Sequence, residues 1–121
     1  MPNLLLATDA DWLFDDVAAA LGGTFDVYRV REGSEVTKAA GTVDPDLIVL
    51  DLQIGNMGGV ATSLLAKQEM GEGRMDEAPI LLLLDRDADV FLAEQSNADA
   101  WLVKPLNSLQ LRRSANELTA D

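Results

Sequence analysis

The stretch Leu47-Ile48-Val49-Leu50-Asp51 decides the reading of this chain. A run this short and this apolar is a strand buried on both faces, as in a parallel sheet. A charge at its carboxyl end lies at the edge where open α/β sheets bind ligands. Two further segments end the same way. Leu4-Leu5-Leu6-Ala7-Thr8 runs into Asp9, and Trp101-Leu102-Val103 runs into Lys104-Pro105. Two acids and one lysine at three strand ends point to a site for a cation and a phosphoryl group.

Working outward, strands and helices alternate. The first strand is Leu4–Thr8. A helix follows from Asp11, with Leu13, Val17 and Leu21 on one face, and Gly22-Gly23 ends it. Phe25–Val30 is the second strand, with Phe25, Val27 and Arg29 opposite Asp26, Tyr28 and Val30. Ser34 is placed to cap a short helix that Gly41 closes. After the Asp44-Pro45-Asp46 turn and the third strand, Gln53–Gly59 is a glycine-rich loop. Val60, Leu64, Leu65 and Gln68 mark the third helix, and Pro79 opens the fourth strand, Ile80–Leu84. The fourth helix is expected over Ala88–Ser96 and the fifth strand over Ala100–Val103. Asn107 and Gln110 have capping-box spacing ahead of a fifth helix marked by Leu109, Arg112, Ala115 and Leu118. Five strand-then-helix units imply a doubly wound five-stranded parallel sheet with helices on both faces.

The chain has 121 residues, enough for one domain over 1–121 with a real core, and 48% of them are hydrophobic. Its net charge is −12, from 21 acids and 9 bases, which argues against nucleic acid and against anionic membrane surfaces. With no cysteine and no histidine, thiol chemistry, disulfides, histidine metal sites and a phosphohistidine carrier role are excluded. Leu4 to Ala7 is too short and lacks the basic flank of a signal peptide, and Ile80 to Leu84 is far too short to span a bilayer. The expected location is cytoplasmic.

The whole pattern resembles the receiver domain of two-component response regulators. The residues that carry the resemblance are Asp9 after the first strand, Leu47-Ile48-Val49-Leu50-Asp51, the loop Ile54-Gly55-Asn56-Met57-Gly58-Gly59, and Val103-Lys104-Pro105. It implies a CheY-like, flavodoxin-like sheet of strand order 2-1-3-4-5, an order for which a receiver is a standard illustration. It implies Asp51 as phospho-acceptor, and Mg²⁺ held by Asp9, Asp51 and the Gln53 backbone carbonyl. It implies Lys104 as partner of the acceptor carboxylate and then of a phosphoryl oxygen, before a cis bond to Pro105. The plainer alternatives are Asp51 as a loop cap, which is disfavoured because a buried strand end is a costly place for an unpaired charge, and Lys104 as a solvated lysine before a turn proline.

Three positions depart from the family pattern. Thr8 stands where the family has the first of two adjacent acids; it can order a metal-bound water but adds no charge. Asp11 is read as a cap of the first helix rather than as a ligand. At the end of the fourth strand the family has a Ser or Thr switch residue, and here Leu84 takes that place, followed by Asp85, whose charge would repel a phosphoryl group. Leu84 to Lys104 is also about two residues shorter than the family pattern. Trp101 occupies the fifth-strand switch position and is either a switch or a covering hydrophobe.

Two functional readings follow. In the first, the chain is a stand-alone receiver without a DNA-binding output domain, not an enzyme beyond autocatalytic transfer to and from Asp51. A histidine kinase or phosphotransfer protein donates the phosphoryl group. The output partner, or a second copy, docks on the face of the fourth helix, fifth strand and fifth helix. In the second, the chain is a degenerate receiver-like interaction module with weak or vestigial Mg²⁺ binding, independent of phosphorylation. A flavin carrier of the same strand order is disfavoured, because Thr8-Asp9-Ala10-Asp11 is acidic where a phosphate cradle is needed.

Overall fold

The computed structural model describes residues 1–120. In chain order the elements are β1 (Asn3–Ala7), α1 (Asp11–Leu21), β2 (Asp26–Val30), α2 (Val36–Val43), β3 (Leu47–Asp51), α3 (Gly59–Gly71), β4 (Ile80–Leu84), α4 (Val90–Gln95), β5 (Ala100–Val103) and α5 (Ser108–Thr119). The five strands pair in parallel in the order β2-β1-β3-β4-β5. Each strand-to-strand crossover passes through a helix, so both faces of the sheet are covered. The doubly wound architecture read from the sequence is the architecture present.

Alternation along the strands builds two cores. Leu5, Ala7, Ile48, Leu50, Ile80, Leu82 and Leu84 point to one face, against Val36 and Ala40 of α2, Ala66 and Met70 of α3 and Ala93 of α4. Leu4, Leu6, Leu47, Val49, Leu81 and Leu83 point to the other, against Leu13, Val17 and Leu21 of α1 and Leu111 and Ala115 of α5. Every residue of β3 and β4 is buried. Each such leucine contributes about 1.5–3 kcal/mol by leaving water, which holds the strand ends in fixed register. No helix among the described residues is long and apolar enough to cross a membrane.

Several local expectations are corrected. Ser34 does not cap α2. It lies in a single 3-10 turn, Gly33–Glu35, and the helix runs through Gly41 to Val43. Asp44 closes it in the left-handed conformation (φ 53°), which short polar side chains tolerate. Asp11 is not the cap of α1: Ala10 holds that position, and the Thr8 hydroxyl accepts its amide at 3.1 Å. The fourth helix is shorter than expected, because Asp87–Asp89 forms a separate 3-10 turn before α4.

The buried face of α3 is also not the one expected. Leu64 and Gln68 are exposed, while Gly59, Thr62, Ser63, Ala66 and Met70 face inward. Burying Thr62 and Ser63 is tolerated because each hydroxyl has an acceptor. Thr62 donates to the Met57 carbonyl and Ser63 to the Ser96 carbonyl, both at 2.8 Å. On α5 the inward residues are Leu111 and Ala115, with Leu109 and Arg112 exposed; Asn107 does cap the helix, accepting the Gln110 amide.

The loop from Leu52 to Gly58 is clamped from the side. Asn56 and Met57 both have positive φ (50° and 74°), unusual without glycine. The Gly33 amide donates to the Gly55 carbonyl and the Ser34 amide to the Asn56 carbonyl, each at 3.1 Å. A Cβ at Gly33 would overlap the Met57 carbonyl oxygen and the Thr62 hydroxyl. Gly33→Ala is therefore expected to lower stability by about 1–3 kcal/mol in urea unfolding; an unchanged midpoint would show that the clamp yields freely.

Candidate functional site

At their carboxyl ends, β1, β3, β4 and β5 deliver Thr8, Asp51, Asp85 and Lys104 to one edge of the sheet. The Lys104 amide donates to the Leu84 carbonyl at 2.8 Å, carrying the β4–β5 pairing one residue further. The Lys104-Pro105 bond is cis.

Asp51 is the centre. Its side chain is 3% exposed, and a carboxylate so placed needs donors. It has three. Oδ2 accepts the Thr8 hydroxyl at 2.7 Å, while Oδ1 accepts the Lys104 ammonium at 2.6 Å and the Gln53 amide at 3.1 Å. Thr8 therefore bonds the carboxylate directly.

Lys104 is shared. Its Nζ also donates to Asp85 Oδ1 at 2.9 Å, and Asp85 Oδ2 accepts the Gln53 side-chain amide at 2.6 Å. Asp51, Lys104, Asp85 and Gln53 close a ring of hydrogen bonds with a formal charge of −1. Burial pushes Lys104 toward losing its proton, but the hydrogen bonds it donates to Asp51 and Asp85 outweigh it and raise its pKa. Burial likewise pushes the Asp85 carboxyl up, and the bonds from Lys104 and Gln53 overcome it and hold the carboxyl below its usual value.

Asp9 is exposed at the end of β1, beside the loop after β3: a Cβ on Gly55 would stand 3.4 Å from its Oδ2. Asp9, Asp51 and the Gln53 carbonyl each offer oxygen, the donor type that Mg²⁺ takes. Among the described residues no three acidic, histidine or cysteine side chains converge as a metal cluster.

Leu84, at the strand-four switch position, is fully buried in the core against the α2–α4 face. Trp101 is 37% exposed, paired across the sheet with Leu82.

Two contributors escape the sequence reading. Asp85 was expected only to repel; it binds Lys104. Arg29 of β2 also supports the site: Nε donates to the Thr8 carbonyl at 3.0 Å, Nη1 reaches Asp11 at 2.8 Å, and the guanidinium lies 5.2 Å from the Phe14 ring centroid. Arg29 and then Arg31 hold the Asp11 carboxyl below its usual value. The available signal was a charge on the same strand face as Phe25 and Val27.

No protein-family model matches the chain. Among curated proteins, the sensory transduction protein BceR of Bacillus subtilis (strain 168) is 31% identical over 110 residues, covering 88% of this chain and 45% of BceR. The chain spans about half the length of the curated relatives it matches. Among solved structures, the signal receiver domain of a histidine kinase from Syntrophus aciditrophicus superposes with a TM-score of 0.86 at 22% identity, over 99% of this chain and 91% of that one. The receiver domain of the sensor histidine kinase PA1611 from Pseudomonas aeruginosa PAO1, with a magnesium ion coordinated in its active site cleft, gives 0.85 at 20% identity, over 99% and 98%. The chain is a receiver domain with the CheY-like fold, of the kind found in two-component response regulators.

Leu84→Thr would remove packing from the core and bury a hydroxyl among leucines. It is expected to cost about 2 kcal/mol or more in urea unfolding; a cost near zero would mean that the end of β4 has room for a polar switch residue.

Proposed function

We propose that residues 1–121 act as one receiver unit that accepts a phosphoryl group on Asp51 and thereby regulates partner binding. The observation that carries the reading is the buried Asp51 carboxylate, held at 2.6 Å by Lys104 at the edge of a doubly wound sheet. The donor is a phosphohistidine on a histidine kinase or phosphotransfer protein. A carboxylate oxygen of Asp51 forms a bond to phosphorus as the donor's P–N bond breaks, with the electron pair leaving on the imidazole. Thr8, Lys104 and the Gln53 amide orient the carboxylate before transfer. Lys104 then pairs with a phosphoryl oxygen.

Asp9, Asp51 and the Gln53 carbonyl would hold Mg²⁺. When bound, it neutralises charge on the transferring group. Of this chain's own residues, Lys104 brings positive charge to the phosphoryl group, and Leu84 offers no hydroxyl to hydrogen-bond it. The setting proposed is cytoplasmic, without nucleic acid or membrane as partner of this unit.

A second reading is favoured by two placements: Leu84 lies in the core, and Phe91, Trp101 and Leu109 are exposed on α4, β5 and α5. Here the α4–β5–α5 face binds an output partner or a second copy whatever the state of Asp51. Large apolar anchors of this kind dominate interfaces.

With acetyl phosphate and Mg²⁺, intact-mass spectra are expected to show one phosphoryl group on the wild type and none on Asp51→Asn. Alongside, Trp101→Ala and Asp51→Asn are compared in a self-association or partner-binding assay. A dominant effect of Asp51→Asn identifies a phosphorylation-gated receiver; a dominant effect of Trp101→Ala identifies the constant module.

A further inference from the structure

The Asp85 carboxylate is held at both oxygens, by Lys104 on one side and by the Gln53 side chain on the other. Lys104 has three N–H donors on one nitrogen, and two already point at carboxylates, Asp51 and Asp85. Asp85 follows the last residue of β4 directly, so its backbone is fixed by a fully buried strand. Its side chain keeps 30% exposure, which leaves it a way out to water. We propose that Asp85 competes with the incoming phosphoryl group for Lys104. Its carboxylate occupies the lysine that a phosphoryl oxygen on Asp51 would need, so transfer to Asp51 requires the Asp85 pairing to open first.

Two anions cannot share Lys104 cheaply when one is a phosphoryl group beside a second carboxylate. Arrival of the phosphoryl group therefore expels Asp85 toward solvent and frees the Gln53 side chain. Until then the closed ring holds Lys104 and Asp51 in a satisfied state with little reason to rearrange. Asp85 is thus a latch over the site, set by charge, and it makes the domain slow to accept phosphoryl groups from weak donors. This inference rests on Asp51 being the acceptor.

Wild type, Asp85→Ala, Asp85→Asn and Asp51→Asn are incubated with acetyl phosphate and Mg²⁺, and phosphoryl gain is followed by intact mass. In this step a carboxylate oxygen of Asp51 bonds to phosphorus, the donor's P–O bond breaks, and acetate leaves with the electron pair. Both Asp85 variants are expected to gain the group about 10-fold faster than wild type, and Asp51→Asn to gain none. Beryllofluoride titrated by NMR should bind both Asp85 variants more tightly by a similar factor. If wild type is labelled and neither Asp85 variant is faster or tighter, the competitor is overturned and Asp51 stands as acceptor. If no protein is labelled, or labelling survives Asp51→Asn, the acceptor reading falls and the competitor with it. Should Asp85→Ala fail to fold by thermal melt, Asp85→Asn, which keeps size and removes charge, decides alone.

Discussion

A carboxylate at the end of a strand buried on both faces has to find its donors at the sheet edge, and this requirement organises the molecule around Asp51. Water cannot solvate it fully, so one cation and two neutral donors close on it from β1, β5 and the following loop. Those donors arrive only if the three strand ends are level. Level strand ends in turn depend on the alternating leucines that fix register on two faces at once. Core packing and site chemistry are in this sense one constraint: a slip of one residue in β3 would turn Asp51 to the other face of the sheet and put a leucine in its place.

The parts of this arrangement that were legible in the sequence are those written in local periodicity or carried by the family resemblance. The apolar runs of β1, β3 and β4 are present, and so are the strand order and the Asp51–Lys104 pairing, both of which came from the family resemblance and not from periodicity. The inward face of α3 was not legible. Leu64 lies outward and Val60 and Leu65 are half-covered, while its buried hydroxyls are satisfied by carbonyls at Met57 and Ser96, partners that local spacing does not reveal. The same holds for Asp85. Its position after Leu84 was plain, but its bond to Lys104, 19 residues on, is a tertiary fact. Arg29 reaches the site only through the Thr8 carbonyl and Asp11, which needs β1 and β2 side by side.

The charge pattern of the site differs from a simple acid pocket. Two acids, Asp51 and Asp85, share one lysine, while Asp9 is exposed and has no hydrogen bond among the described contacts. Thr8 in place of a further acid reduces the negative charge while keeping a donor on Asp51.

The buried bond from Ser63 to the Ser96 carbonyl has a mechanical meaning. Ser96 caps α4, and its hydroxyl also bonds the Ala93 carbonyl and accepts the Ala98 amide, so the carboxyl end of this six-residue helix is pinned to α3 and to the turn that follows. Its amino end follows the Asp87–Asp89 turn, where buried Asp89 accepts the Arg86 amide and guanidinium. A helix this short, tied to α3 at one end and to the turn after β4 at the other, works as a strut between the two rather than as a separate layer.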